Sequence, residues 1–279
     1  ISMHALHLRR SVTITGTDYF NSPASISFHP YDKAGWFWKT KDSGIQPITP
    51  DLLQYRKRRL SLIYGKDELT VFEHIGALRF TGLDGILIES SPWPPYHGRT
   101  LELWEALNPH CKDGGKALRW YTPIHPVRCD CAGNPKRFTK IVPSQNKCLT
   151  ALVAIDYPDL GEIELCHGFD GLGDASTLES IFAAKSQGWP MWLYHPSRVL
   201  QWFPRRPPHK MMTWPQEHAP HEALRLFAEH RLLDMLGGIS VLVPPGGMLA
   251  GNIVSMRSGH HGDMRVVSAV SRSGIISIP

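Results

Sequence analysis

Glu229-His230-Arg231-Leu232-Leu233-Asp234-Met235-Leu236-Gly237-Gly238-Ile239-Ser240-Val241-Leu242-Val243 reads as the end of a helix, a glycine stop and a strand. The spacing predicts a helix from about His221 to Met235, and the apolar run Ile239–Val243 predicts the strand it feeds. A similar pattern lies in the first half of the chain. From Glu68 to Phe80 the spacing is helical, with Val71, Phe72, Ile75, Ala77 and Leu78 on the apolar side. Gly82 and Gly85 end it, and Ile86-Leu87-Ile88 predicts a short buried strand. Each helix carries a Glu-His pair, Glu73-His74 in one and Glu229-His230 in the other. The match fits a chain built from two related α+β units.

Outward from these two segments, alternation predicts strands at Ser11–Thr15, Ala24–Phe28 and Gly35–Trp38, with Gly16 and Asn21-Ser22-Pro23 turning between the first two. The first unit is expected over residues 4–110. Residues 108 to 136 lose any period, and 111–136 is expected to connect the halves. The second unit, 137–272, opens with strands around Phe138–Val142, Thr150–Asp156 and Gly161–Cys166, and a helix starts near Ser176–Lys185. The Pro-, Trp-, His- and Met-rich tract Trp189–Pro220 reads as an insertion (about 189–220) over the ligand site.

A chain of 279 residues can bury a substantial core, and 42% hydrophobic with 20% charged residues is ordinary for a globular protein. No apolar run approaches the roughly 18 residues of a membrane helix. Ile1-Ser2 before Met3 reads as a cloning remnant with no signal-peptide core behind it, so a cytoplasmic location is expected. The five cysteines are odd in number and loosely spaced, which argues for reduced thiols over a disulfide framework. A net charge of +5 suits an anionic ligand, although the runs Arg56–Arg59 and Arg205-Arg206 each read more simply as solvated faces. Neither a phosphate-binding glycine loop nor a Gly-x-Ser-x-Gly elbow is present.

His230 and Asp234 are four apart, which on a helix puts both on one face, a turn apart. Imidazole and carboxylate are ordinary zinc ligands, and a catalytic zinc takes three protein ligands and keeps one position open. By itself His-x-x-x-Asp matches many solvated pairs, and Glu73-His74 alone reads as a helix-surface pair. In combination they say more. With His74 as third ligand, Glu73 stands beside the open position, where a carboxylate can take a proton from water. Arg257-Ser258-Gly259-His260-His261-Gly262-Asp263 suits a tight loop or helix start, and one of its imidazoles could protonate a leaving amine or stabilise an oxyanion. A plain surface turn is the alternative there. His218 and His221 form a rival pair, discounted because Ala219-Pro220 separates them.

Taken in order, these residues resemble the UDP-3-O-acyl-N-acetylglucosamine deacetylases, the zinc enzymes of lipid A biosynthesis. The family's Val-Glu-His resembles Phe72-Glu73-His74, and its glycine turn and strand resemble Thr81–Glu89. Its His-Lys-x-x-Asp is similar to His230–Asp234, its Lys-Ser-Gly-His to Arg257–His260, and its Ala-Arg-Thr-Phe to Ala175–Leu178. The likeness extends thinly from about Arg10 to Ser271. It implies two α/β-sandwich units packed together, with the metal site near their junction. It also implies Glu73 as general base, His74, His230 and Asp234 as ligands of Zn2+ (or Fe2+), His260 as electrostatic or acid partner, Thr177 as oxyanion helper, and Arg231 in the place of the family's lysine. Other departures are His97 where aspartate is usual, Phe20 where histidine is usual, and the unusual 189–220 tract. The implied activity is removal of acetate from an N-acetylated, acylated nucleotide sugar by a divergent, monomeric member. Peripheral membrane contact is compatible with that, and no nucleic acid is expected. The alternatives are the same hydrolysis on another N-acyl sugar or small amide, and a non-catalytic basic module binding a polyanion.

Overall fold

Strict alternation builds the first sheet. β1 (Val12–Thr17) turns Val12 and Ile14 inward, and β2 (Pro23–Pro30) does the same with Ala24, Ile26 and Phe28. β3 (Trp36–Thr40) and β4 (Gly44–Pro47) form the far edge. α1 (Phe72–Gly76) then leads, through a 3-10 turn at Ala77–Thr81, into β5 (Ile86–Ser90), and α2 (Thr100–Leu107) follows. The order is β1-β2-β5-β3-β4, with β5 antiparallel to β2 and parallel to β3. A computed structural model describes residues 3–56, 58–95, 100–131, 133–157, 160–169, 175–187, 194–200 and 212–279, with backbone alone at 175–177, 187 and 200.

The second half repeats this order. β6 (Val127–Cys131), β7 (Asn134–Val142), β8 (Leu149–Tyr157) and β9 (Gly161–Phe169) precede α3 (Ala175–Ala183), α4 (Tyr194–Leu200) and α5 (Pro220–Ile239). β10 (Gly251–Met256) and α6 (His260–Ser273) follow. The sheet runs β6-β7-β10-β8-β9, with β10 antiparallel to β7 and parallel to β8. In both sheets the central strand is the one delivered after a helix bearing a Glu-His pair. The architecture is mixed α+β, as expected from the sequence.

Local expectations fail in three places. The helix expected over Glu68–Phe80 is a strand (Asp67–Leu69), the short α1 and then the 3-10 turn. Thr70 is held extended by the Pro92 carbonyl, which accepts from both its N–H (2.9 Å) and its hydroxyl (2.8 Å), so helix begins only after Val71. The strand expected at Ile239–Val243 is the end of α5 and a 3-10 turn (Ser240–Leu242), because the Ser240 hydroxyl and N–H both turn back onto the Gly237 carbonyl. A short buried apolar run has no period that separates strand from helix. Third, most of the described residues in 111–136 form strands rather than an aperiodic connection. Cys111–Ala117 pairs with His4–Leu8, and Arg119–Pro123 lies between Gly247–Leu249 and Ile275–Ser277. Cys111–Ala117, exposed along its length and glycine-containing, carries no alternation to read. The basic run Arg56–Arg59 forms the tip of a hairpin between Leu53–Arg56 and Arg59–Tyr64.

α5 is the axis of the molecule, buried from Phe227 to Ile239 without interruption. Such a helix ought to be apolar all round, yet this one carries Glu229, His230, Arg231 and Asp234, each about 5–7% exposed. Each buried charge needs a partner. Arg225 Nη1 (2.7 Å) and the Ser180 hydroxyl (2.9 Å) donate to Glu229. Gly237 lies inside the helix and is there for contact with α1: a Cβ on it would sit 1.6 Å from the Glu73 carbonyl oxygen. Gly76 answers from α1, where a Cβ would meet Ser240 Oγ at 2.5 Å. Two glycines thus let the helices cross backbone against backbone.

Candidate metal centre

This close crossing sets side chains from α1 beside side chains from α5. His74 Nε2 lies 3.3 Å from Asp234 Oδ1, and His230 Nε2 lies 3.6 Å from Asp234 Oδ2. His260, in the first turn of α6, brings its Nε2 to 3.5 Å from the same Oδ2. The imidazoles of His74 and His230 meet edge to face, centroids 5.3 Å apart. His74, His230 and Asp234 are all buried and offer one donor atom each within 4.8 Å of one another; Glu73, Asp234 and His260 form an overlapping set.

The residues fit a divalent ion. Donors about 2.0–2.1 Å from a tetrahedral zinc stand roughly 3.3–3.5 Å apart, close to the separations from Asp234 to the two histidines. Burial pushes the His230 imidazole down to about 4, with Asp234 opposing, so it is neutral and its lone pair is free near pH 7. Burial alone would raise Asp234, but His230, His260 and His74 together hold its carboxylate below the usual range. Asp234 Oδ1 lacks a hydrogen bond of good geometry among the described residues, and so do His230 Nδ1 and His260 Nδ1, although all three atoms are buried. Three unmatched polar atoms on three neighbouring buried side chains call for a partner such as a bound group. Two imidazoles and a carboxylate suit zinc and leave Fe2+ open.

Glu73 is 2% exposed, and its Oε2 accepts the Leu60 N–H at 3.0 Å. Burial, and then the charge of Asp234, push its carboxyl well above the ordinary range. A carboxylate poised to hold a proton suits a general base. His74 is anchored through its carbonyl, which accepts from the Thr100 hydroxyl at 3.0 Å. Arg231 faces a different partner. Its guanidinium grips Asp263 in a two-point pair (2.7 and 2.6 Å) and also donates to Ser255 Oγ (2.9 Å) and the Ser258 carbonyl (3.1 Å). It therefore ties α5 to the loop that presents His260.

Backbone strain collects here too. Val71, Arg58 and Arg257 hold positive φ, three of the four non-glycine residues to do so among those described. They stand just before Glu73-His74, before Arg59-Leu60 and before Ser258–His260. A β-branched residue at φ 49°, as Val71 is, is a genuine outlier, and such strain gathers where geometry is held for a purpose.

Five of the seven expected site residues (Glu73, His74, His230, Asp234 and His260) come together in one place. Arg231 is adjacent but is committed to Asp263. Thr177 lies in the first turn of α3, and its side chain is outside the described residues, as are His97 and half of the 189–220 tract. Sequence reasoning missed Asp263 and the Arg59-Leu60 hairpin. The Asp263 of Gly262-Asp263 was in view but had no visible partner. The hairpin was legible as Leu53-Gln54-Tyr55 and Leu60-Ser61-Leu62 either side of the basic tip. Compared with known proteins, the chain matches no family model and no curated sequence.

Proposed function

We propose that this chain is a zinc-dependent amide hydrolase, an N-deacetylase acting on an N-acetylated, acylated nucleotide sugar of the UDP-3-O-acyl-N-acetylglucosamine type. One observation carries the reading. Three buried donors from two helices converge on one point, with a buried carboxylate of raised proton affinity next to one of them in the chain.

His74, His230 and Asp234 would hold the ion. When bound, zinc supplies Lewis acidity, lowering the pKa of a water molecule to about 7 and polarising a carbonyl oxygen. Glu73, held by the Leu60 N–H, takes a proton from the attacking water and returns it to the departing nitrogen, so that acetate and a free amine leave. His260, whose Nε2 stands 3.5 Å from Asp234 Oδ2, donates to the oxygen on which negative charge develops. Arg231 positions it, through Asp263 and Ser258. For the substrate class, a cavity of about 450 Å3 is lined by Lys136, Arg137 and Arg257, with Asp156 the one acid among its described lining residues, and reaches Ser258, two residues from His260. Arg257 is paired with Glu162 and Asp156, so Lys136 and Arg137 supply its excess of positive charge. A basic cavity so placed suits the diphosphate of a nucleotide sugar.

The shared strand order of the two five-stranded sheets supports a chain of two related α/β units, the first about 4–110 and the second reaching back from 137–272 to take in β6 (Val127–Cys131), with the ligands drawn from the corresponding helices α1 and α5. The test is elemental analysis of the chain and of Asp234→Ala side by side, followed by acetate release from the nucleotide sugar and from a panel of N-acetylated compounds. About one zinc or iron per chain, lost in Asp234→Ala, with acetate released, is the expected result. No metal in either chain after zinc is supplied would overturn the reading and favour polyanion binding.

A further inference from the structure

A separate cavity of about 280 Å3 opens between β3, the segment after α5 and the end of α6. None of the metal-centre residues lines it. Its wall is mostly apolar, with Trp36, Ile48, Val243, Pro245 and Ile275 among the lining side chains. One charged group lines it among the described residues, and that group is Arg79, only 4% exposed.

A guanidinium carries five N–H donors. Among the described residues Arg79 makes a single hydrogen bond, from Nη1 to the Ser240 carbonyl at 3.3 Å. Asp84 acts on it only from beyond ion-pair distance, and Asp84 Oδ1 is already engaged by the N–H groups of Gly35 (2.8 Å) and Gly246 (3.3 Å). Burial pushes the guanidinium down to about 10, with Asp84 opposing. A cation only 4% exposed on the wall of an apolar cavity, with most of its donors unmatched by acceptors among the described residues, offers them to whatever acceptor enters.

We propose that this cavity binds a small monocarboxylate with an apolar tail, its carboxylate paired with Arg79 and its tail lying against Trp36, Val243 and Ile275. A planar carboxylate matches the two-point geometry of a guanidinium. A single cation in an apolar wall suits a single negative charge, whereas a phosphate dianion would bring charge that nothing there offsets. Size limits the tail: an apolar cavity of about 150 Å3 holds benzene, so about 280 Å3 takes roughly six to eight carbons. The site stands independently of the metal-centre reading.

Calorimetric titration of the full chain with hexanoate and octanoate, against hexanamide as the neutral counterpart, tests it. The acid is expected to bind at least about tenfold tighter than the amide, because a charge-assisted pair replaces a neutral one. Arg79→Met should abolish that preference. Ala34→Trp, an exposed change at the cavity rim, should block both ligands while leaving the metal content intact. Equal binding of acid and amide, no binding up to millimolar concentration, or undiminished binding in Ala34→Trp would each overturn the proposal. If Arg79→Met does not fold, the acid-to-amide ratio in the wild type and the Ala34→Trp result decide.

Discussion

Adding one methyl group at Gly237 should dismantle the metal centre without touching a ligand. The Cβ of Gly237→Ala would sit 1.6 Å from the Glu73 carbonyl oxygen and 2.3 Å from its carbon, both backbone atoms with no rotamer to move. Real Cβ contacts do not fall below 3.0 Å, so α1 must withdraw from α5 by about 1.4 Å. His74 rides on α1 and His230 and Asp234 on α5, so the 3.3 Å separation of His74 from Asp234 would widen by a comparable amount. Metal–ligand distances tolerate about 0.2 Å. Zinc affinity should therefore fall at least about a hundredfold, and the metal-free chain should lose more than about 3 kcal/mol, the upper end of ordinary overpacking. Competition titration of zinc against a chromophoric chelator reads the first, and urea unfolding of the metal-free chain reads the second. Gly259→Ala is the control, since a Cβ there meets nothing within 4 Å. Wild-type zinc affinity in Gly237→Ala would refute the claim that close crossing of these helices assembles the site.

Glu73→Gln should keep zinc and lose turnover by about 10²–10⁴-fold, measured as acetate release against metal content. The same variant carries a pH signature in the metal-free chain. The folded carboxyl binds its proton more tightly than the unfolded one, so its contribution is present below the unfolded pKa and lost as pH rises through the raised folded value. Thermal unfolding should then find Glu73→Gln more stable than wild type near neutral pH and no more stable in acid; equal stability at both would refute the raised carboxyl. Arg231→Met should cost about 3–5 kcal/mol in denaturant unfolding because Asp263, 0% exposed, is left as a buried unpaired charge. Replacing both partners in Arg231→Met/Asp263→Leu should recover much of that loss, and a simple sum of the two single losses would count against the pair. Chelation should lower the melting temperature, and zinc should restore it with a rise that follows the logarithm of free metal, as ligand linkage requires.

Much of the framework was legible because alternation and helical spacing follow directly from which faces must avoid water. Ile26 and Phe28 alternate because one face of β2 is buried, and His230 and Asp234 share a face because the helix repeats every 3.6 residues. Two of the three local misreadings have one cause. At Thr70–Val71 and along Cys111–Ala117 the conformation is set by groups far away in the chain, respectively the Pro92 carbonyl and the strand His4–Leu8. At Ser240 the contact is local, to the Gly237 carbonyl, and the apolar run simply has no period to read.

The sequence by itself determined the mixed α+β class, the two Glu-His helices and the residue types able to hold a metal, since these depend on neighbours three or four positions apart. Only the tertiary structure decided that His74 meets Asp234, that Leu60 holds Glu73, and that Arg231 answers Asp263 rather than the metal centre. Those pairs lie between 13 and 160 residues apart in the chain. No local rule brings them together; burying α5 among the other elements does, because each charge taken out of water must find its partner wherever the packing has placed one.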